Sequence, residues 1–420
     1  MDENNKYRVN KIFDLETPTT TILTNDNKYR VNKIFDLETP TTTILTNDLL
    51  PEFINLELLR KIEKNFILNC PLSEVYNNLD VYEKAKEHYL KNNIKGENSY
   101  LHSFCDFKNS YRYMNIRNVL ANNFNLNINK FITLKDSNSN ATFSIDDFIK
   151  CVEIFEPNIL CIPTEEIKIN EQVGKKKKIR IITLMNEFLE KIKIIKEKDN
   201  GNNGPLCILS VPSTININNV IKETLDKYDS IINGYLLSGI GYDESNQVRT
   251  SYIKDILEII PKNKLKFIQL SNGNPIEILH SIYYGIDIIE SNFPYYLAKS
   301  GKAITMDINL EDINLEESKS VDINLINFED KKINDTFIID LKDSKYALDH
   351  SIISNNSPRK ETRSYIHHLL KCKELTANVI ISYHNLYIYK LFFQEIKSQI
   401  KNNTFLSYMN KFIQHHKLYM

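Results

Sequence analysis

The chain has 420 residues, a hydrophobic content of 42% and a formal net charge of -1 at pH 7. A chain of this length and composition can bury a large core, as one α/β barrel or as two ordinary domains. The near-zero charge excludes an overall positive field that would concentrate nucleic acid, so any RNA binding must come from local patches or from a partner subunit. The cysteines form no C-x-x-C pair, which excludes a thiolate zinc ribbon.

No segment of the sequence predicts membrane targeting. The start, MDENNKYRVN, lacks a basic region followed by an apolar run, and no uninterrupted apolar stretch of about 18 residues occurs. We therefore expect a cytoplasmic protein without direct membrane insertion.

The N-terminal region contains a duplication. Residues 5–26 and 27–48 are the same string, NKYRVNKIFDLETPTTTILTND. Two copies do not make a repeat architecture, which needs three or more units. Because the second copy continues directly into LLPEFINLELLRKI, we expect it to enter the fold, and we interpret residues 1–26 as an extra copy without a role.

Further along the chain, an irregular region over 49–200 precedes a regular one. The irregular region has Asn-rich loops between helical pieces, such as a helix over 144–155. Strands are then predicted at 206–211, 234–241 and 266–273, each followed by an amphipathic helix. Three successive strand–helix units are typical of a parallel sheet with crossover helices.

The strongest local signals follow the third of these strands. Asn274 is a suitable helix cap, Pro275 fits the first helical position, and Glu277 completes a capping box. Gly285 ends this helix, and the next strand ends in Glu290. Beyond it, the acidic region 307–335 repeats the motif DINL and is predicted to be a solvated insertion, before a strand at 336–341 and a long helical tail.

Polar residues at 238–241, 271–273 and 290–291 follow consecutive predicted strands. The carboxyl ends of parallel strands meet at one edge, so these residues would face one cleft. A carboxylate there could be a nucleophile toward a sugar C1, as in retaining glycosyl transfer. Glu290 could equally be a satisfied polar residue at the rim of a barrel.

The pattern GxPxExLxxIxxGIDIxESxFPY over 273–295 resembles the queuine tRNA-ribosyltransferase family, specifically its accessory subunit 2 group. The block ETRSYIHHLLKCKELTANVIISYHNLYIYKLFF (361–393) and the segment EPNILCIPTEE (156–166) are also similar to that family. The likeness covers most of residues 27–416. It implies an α/β fold over 27–420, a (β/α)8 TIM barrel with a degenerate zinc-subdomain-like helical region at 349–400.

The family exchanges guanine for queuine at the wobble position of tRNAs with GUN anticodons. Its catalytic members carry aspartate where this chain has Glu290, and the added methylene moves the carboxylate by roughly a bond length. Errors near 1 Å can cost about 100-fold in rate. The family motif DSGGFQ also has no counterpart between 97 and 150, so no catalytic residue is expected in this chain.

The resemblance also implies a zinc site of the pattern CxCx2Cx25H. Counting back from His384 places Ile353, Asn355 and Pro358 at the cysteine positions, and none of these can bind zinc. We therefore expect no zinc and no other cofactor, with His384 kept for packing. The alternative is a replacement ligand, Cys372.

One basic run is a candidate for contacts with tRNA phosphates. It comprises Lys175, Lys176, Lys177, Lys178 and Arg180. The alternative is a solvated helix start.

We therefore predict a non-catalytic subunit that forms a heterodimer with the catalytic queuine tRNA-ribosyltransferase subunit, through residues 350–400, and helps to position tRNA. The alternatives are a transglycosylase that uses Glu290 as nucleophile in a homodimer, and an interaction protein without tRNA binding. No DNA partner is expected. The resemblance also suggests a peripheral place at the mitochondrial outer membrane.

Overall fold

The computed structural model describes residues 29–92, 99–116, 120, 125–128, 132–135, 140–169, 171–198, 204–211, 217–241, 244–270, 272–310 and 336–416. The first copy of the duplicated string and residues 311–335 of the acidic insertion lie outside these ranges. Within them, no helix combines the length and the apolar character needed to cross a membrane.

The strands in the described part of the chain are β1 (Asn32–Ile34), β2 (Leu37–Thr39), β3 (Thr41–Thr42), β4 (Ile44–Leu45), β5 (Phe66–Pro71), β6 (Ser110–Asn115), β7 (Asn125–Ile128), β8 (Ile132–Lys135), β9 (Asn140–Phe143), β10 (Ile159–Ile162), β11 (Leu206–Val211), β12 (Ile232–Leu237), β13 (Leu265–Leu270), β14 (Ile288–Ser291), β15 (Lys302–Ile304) and β16 (Ile338–Asp340). The helices there are α1 (Leu56–Ile62), α2 (Leu72–Asn77), α3 (Leu79–Lys91), α4 (Tyr100–Phe104), α5 (Ile145–Phe155), α6 (Lys175–Lys198), α7 (Ile217–Tyr228), α8 (Asn246–Ile259), α9 (Pro275–Tyr283), α10 (Phe293–Lys299), α11 (Arg363–Lys371), α12 (Leu375–Lys401) and α13 (Phe405–His415).

The central sheet closes on itself. Its order is β3-β14-β13-β12-β11-β10-β6-β5-β4, and all its neighbouring strands are parallel. Only Thr43 separates β3 from β4, so the two are halves of one strand that pairs with β14 on one side and with β5 on the other. With helices between successive strands, the result is the predicted (β/α)8 barrel.

The best-defined local predictions are confirmed. Asn274 caps α9, and its Oδ1 accepts hydrogen bonds from the amides of Ile276 and Glu277, each at 3.0 Å. The Glu277 carboxylate returns to the Asn274 amide at 3.1 Å, which completes the capping box. Gly285 follows the helix with φ +84°, a conformation that favours glycine. The predicted helix over 144–155 is α5, capped by Ser144.

The region 49–200 is more regular than its sequence pattern indicates, because it supplies β5, β6 and β10 to the barrel. A separate antiparallel sheet, β7–β9, is inserted between β6 and α5. The expectation of a solvated insertion from residue 307 is wrong at its start: Ile308 and Leu310 are buried in the core. Asp307 is accessible and contacts His415 of α13 at 2.9 Å.

The long C-terminal helix α12 packs along the barrel, against α1, α10 and β15. Asn385 accepts a hydrogen bond from the Ile304 amide at 2.9 Å and donates to the Pro294 carbonyl at 3.1 Å. The predicted helical tail is therefore an integral part of the fold.

The hairpin β1–β2 lies across the amino ends of the barrel strands. Arg30, just before it, donates to both carboxylate oxygens of Asp287, at 3.1 and 2.9 Å, and to the Lys264 carbonyl at 2.8 Å. At the hairpin turn, Phe35 stacks on Tyr111 of β6 with ring centroids 4.2 Å apart. The Asp287 side chain is only 1% exposed, so Arg30 neutralises a buried charge.

We predict that Arg30→Met lowers the free energy of unfolding by about 3 kcal/mol, because it leaves the Asp287 carboxylate buried without its cation. Arg8 stands at the same place in the first copy, so Arg8→Met is the matched control and should have little effect. Urea denaturation of both variants provides the measurement. Destabilisation by Arg8→Met instead would mean that the first copy supplies the hairpin.

Candidate functional site at the carboxyl ends of the barrel strands

Glu290 lies inside the barrel near the carboxyl end of β14 and has no exposed surface. One carboxylate oxygen, Oε2, accepts three side-chain amide hydrogen bonds, from Asn69 at 2.7 Å, Asn115 at 2.8 Å and Gln269 at 3.1 Å. These donors stand on β5, β6 and β13, so four strands meet at this one carboxylate. We call these four residues the amide cage.

Two further ionisable side chains face the cage. Burial, and then the charge of Glu290, raise the pKa of the Tyr113 phenol well above its ordinary value. The same two causes raise the pKa of the Cys161 thiol. Neither group therefore supplies a base or a thiolate nucleophile at neutral pH, and Glu290 has neutral neighbours.

The cage determines what Glu290 can do chemically. A carboxylate nucleophile must contact the sugar carbon that it attacks. Three N–H donors fix this carboxylate and disperse its charge, and the surrounding barrel covers it. Glu290 therefore lies in the interior of the barrel rather than at its rim, and both interpretations from the sequence stay predictions.

The other predicted strand-end residues also form hydrogen bonds within the chain. Ser238 donates to the Val211 carbonyl at 3.0 Å, and Ser291 donates to the Gly273 carbonyl at 2.8 Å. Tyr389 of α12 donates to the same Gly273 carbonyl at 2.8 Å. A Cβ added at Gly273 would lie 2.5 Å from Ser291 Oγ, so only glycine allows this close approach. Ser271 lies outside the described residues.

A buried ion network that the sequence analysis missed adjoins this edge. The Arg249 guanidinium bonds to Glu244 and to Glu277, each at 2.6 Å, and all three side chains are at most 5% exposed. Glu277 thus has two roles, since its other oxygen binds the Gly273 amide at 2.7 Å. The sequence pattern contained a signal for the burial of Arg249. Ile253 and Ile256 follow it by four and seven positions, so all three residues lie on the inward face of α8.

The members of the basic run at the start of α6 differ in their contacts. Lys177 and Arg180 each pair with the buried Glu165 at 2.9 Å. Lys175 and Lys176 are exposed, and Lys178 is half-buried. The charges of Lys177 and Arg180 are thus matched by Glu165, and the contact with tRNA phosphates stays a prediction.

The zinc-ligand positions implied by the resemblance do not fit a zinc ion. His384 is fully buried, with Nε2 2.7 Å from the Ile304 carbonyl and Nδ1 3.2 Å from Ser357 Oγ. Both ring nitrogens are thus engaged by protein groups. Ile353 is buried, whereas Asn355 is exposed; together with Pro358, they bring no thiolate to the imidazole.

Cys372 does not complete a metal site either. It is exposed, and its sulfur lies 3.7 Å from Nε2 of His368, four residues earlier on α11. Across the described ranges, no group of three or more His, Cys, Asp or Glu side chains is arranged to hold a metal ion.

A closed parallel barrel with its polar cluster at the strand carboxyl ends defines the fold class, a (β/α)8 barrel. The sequence model of the family described as queuine tRNA-ribosyltransferase matches residues 33–418. The chain therefore belongs to the queuine tRNA-ribosyltransferase family.

Relatives within the family differ widely in similarity. The chain is 63% identical over 419 residues to a "Queuine tRNA-ribosyltransferase-like protein" of Plasmodium falciparum (isolate 3D7), a match that covers 98% of this chain and 97% of that protein. Identity to the protein of the same description in Theileria parva is 26% over 375 residues, covering 87% and 88%. Identity to "Queuine tRNA-ribosyltransferase accessory subunit 2" of Xenopus laevis is 23% over 300 residues, covering 66% and 71%.

His384 generates a prediction on pH dependence. Burial lowers the pKa of its imidazole to about 4. The unfolded chain takes up this proton near pH 6.5, so the stabilisation is complete above about 6.5 and is lost as the pH falls toward 4, by up to about 3 kcal/mol. We expect His384→Gln to lose less stability than the wild type between pH 7 and pH 4, measured by urea denaturation.

A chelator provides the control for a metal. Because both ring nitrogens bind protein groups, EDTA should leave the wild-type curves unchanged. Destabilisation by EDTA, restored by zinc, would contradict this account of His384.

Proposed function

We propose that this chain is a non-catalytic subunit of the queuine tRNA-ribosyltransferase that exchanges guanine for queuine at the wobble position of tRNAs with GUN anticodons. It pairs with a catalytic subunit in a cytoplasmic heterodimer, peripheral to the mitochondrial outer membrane, and helps to position tRNA. The base exchange takes place on the catalytic subunit.

The amide cage carries this proposal. Glu290 occupies the position that the family resemblance assigns to the nucleophile, yet it has no exposed surface and its Oε2 accepts three amide hydrogen bonds. Attack on a ribose would require the covered carboxylate to become accessible, and any movement of Oε2 would leave buried donors unsatisfied, at about 1–3 kcal/mol each. The similarity to proteins named accessory subunit 2 adds support.

The surface near α11 supports a partner interface. Leu348 is 85% exposed, Leu375 63% and Tyr365 48%. Beside Leu348, Arg363 ties the segment to α11 through Asp349 at 3.1 Å and the Ile353 carbonyl at 2.8 Å. Exposed apolar side chains that form one contiguous patch are typical of protein interaction sites.

For tRNA, two members of the basic run are available. Lys175 and Lys176 are exposed, unlike Lys177 and Arg180, whose charges are matched by Glu165. Contacts to phosphates through Lys175 and Lys176 would add salt-dependent affinity without base specificity.

The central test is incorporation of labelled guanine into tRNA. We expect the chain alone to be inactive and the co-expressed pair to be active. Glu290→Gln should leave the rate of the pair within about twofold of the wild type, because this carboxylate makes no contact with the transition state. The catalytic subunit alone is the control for background exchange. If this chain alone is active and Glu290→Gln abolishes that activity, the catalytic alternative is correct and the proposal is wrong.

The interface has its own test. Leu348→Lys should weaken binding to the catalytic subunit by about tenfold or more, because it places a charge in an apolar contact. Ile194→Lys is the matched control: Ile194 lies on α6 and is 48% exposed. Binding is measured by pull-down and by titration of the labelled chain. If Leu348→Lys leaves binding to the catalytic subunit unchanged, this surface is not the interface.

A further inference from the structure

A crevice lies on the outer face of the barrel, between α1 and α12. Its enclosed part holds about 20 Å³, enough for a methyl-sized group, and its whole space with the open mouth is about 530 Å³. Small-molecule sites usually measure about 300–1,000 Å³. The apolar walls come from the two helices, from the strand formed by β3 and β4, and from the start of α10: Ile44, Leu59, Ile62, Pro294, Tyr295, Leu386, Tyr389 and Phe393.

Three charged side chains line the same crevice. Glu63 stands at the end of α1, Lys390 and Lys397 stand on α12, and all three are half-buried. Burial raises the pKa of the Glu63 carboxyl, although the charges of the two lysines oppose this rise. Burial also lowers the pKa of the Lys397 ammonium. The surrounding protein therefore compensates these charges incompletely.

The two lysines are held by main-chain carbonyls rather than by Glu63. Lys390 donates to the Ile62 carbonyl, in the last turn of α1. Lys397 donates to the Glu38 carbonyl at 3.3 Å. Among the described residues, Glu63 and the two lysines have no ion-pair partner within 4.0 Å. An ammonium has three N–H donors, so both lysines keep further donors for a ligand.

Charges of both signs beside an apolar slot match the chemistry of a free amino acid. An ammonium group would donate to Glu63, and a carboxylate would accept from Lys390 and Lys397. Charge-assisted hydrogen bonds of this kind are about twice as strong as neutral ones. The lysines would repel a ligand that is only cationic, and Glu63 would repel one that is only anionic. The enclosed part, which has room for a methyl-sized group, suits a branched apolar side chain.

The crevice lies away from the amide cage. The helix α1 starts after the carboxyl end of β4 and returns toward the amino end of β5, which begins at Phe66. Glu63 therefore lies near the amino ends of the barrel strands, whereas Glu290 lies near the carboxyl end of β14. A ligand in the crevice would contact α1 and α12 together, over the strand that closes the barrel.

We propose that this crevice is a binding site for a free amino acid with a branched apolar side chain, of the type of leucine. Glu63 binds its ammonium group, Lys390 and Lys397 bind its carboxylate, and the apolar walls receive its side chain. The inference does not depend on the proposed function, because it uses no residue of the amide cage and needs no partner subunit.

The test is equilibrium dialysis of the full-length wild-type chain with labelled L-leucine. We expect saturable binding. Isopentylamine lacks the carboxylate of leucine and 4-methylpentanoate lacks its ammonium group, so each should compete with labelled leucine at least about tenfold more weakly than leucine itself.

Variants locate the site. Glu63→Gln and Lys397→Gln should each weaken leucine binding by about tenfold or more, because each removes one charged contact. Glu57→Gln and Lys401→Gln are the matched controls and should bind leucine like the wild type. Glu57 lies on α1 and Lys401 on α12, both are exposed, and neither lines the crevice. Urea denaturation shows whether each variant is folded.

The proposal is wrong if the wild type shows no saturable leucine binding, or if either analogue competes as strongly as leucine. It is also wrong if folded Glu63→Gln and Lys397→Gln keep the full affinity for leucine. The comparison with the two analogues uses only the wild-type chain, so it decides the question even if a variant does not fold.

Discussion

The burial of one carboxylate constrains the whole interior of this barrel. An ionised group in a low-dielectric core is tolerated only when donors surround it. Glu290 obtains its donors from Asn69, Asn115 and Gln269, on three other strands. The barrel must therefore be closed, with these strands in register, before the charge is compensated. The same contacts that compensate this charge link β14 to three other strands of the barrel.

Polar groups around the amide cage are also paired within the chain. Arg249 is shared by two glutamates, Gly273 accepts a hydrogen bond from α12, and the Gly239 amide donates to Glu166. At the carboxyl ends of the strands, where barrel enzymes bind substrates, this chain binds its own side chains and loops.

Local signals in the sequence predicted local structure well. The cap at Asn274, the helix end at Gly285 and the strand–helix alternation after 206 depend on residues a few positions apart. The amide cage depends instead on pairs such as Asn69 and Glu290, 221 positions apart, which no periodicity reveals. Lys177 and Arg180 likewise belong to a run that the sequence analysis interpreted as a basic patch. Their partner Glu165 lies outside this run, so the sequence pattern does not show the pairing.

Closure of the barrel also raises the question of how one of two identical segments is chosen. The strand formed by β3 and β4 completes the ring, and the same residues occur 22 positions earlier. Side-chain contacts cannot distinguish identical sequences, so the choice falls on the connection to β5. Roughly doubling that connection costs only about 0.6 kcal/mol in loop entropy. The second copy, residues 27–48, is therefore favoured mainly by the contacts of the residues that follow it. Its own contacts contribute little to the choice, because the first copy could make the same ones.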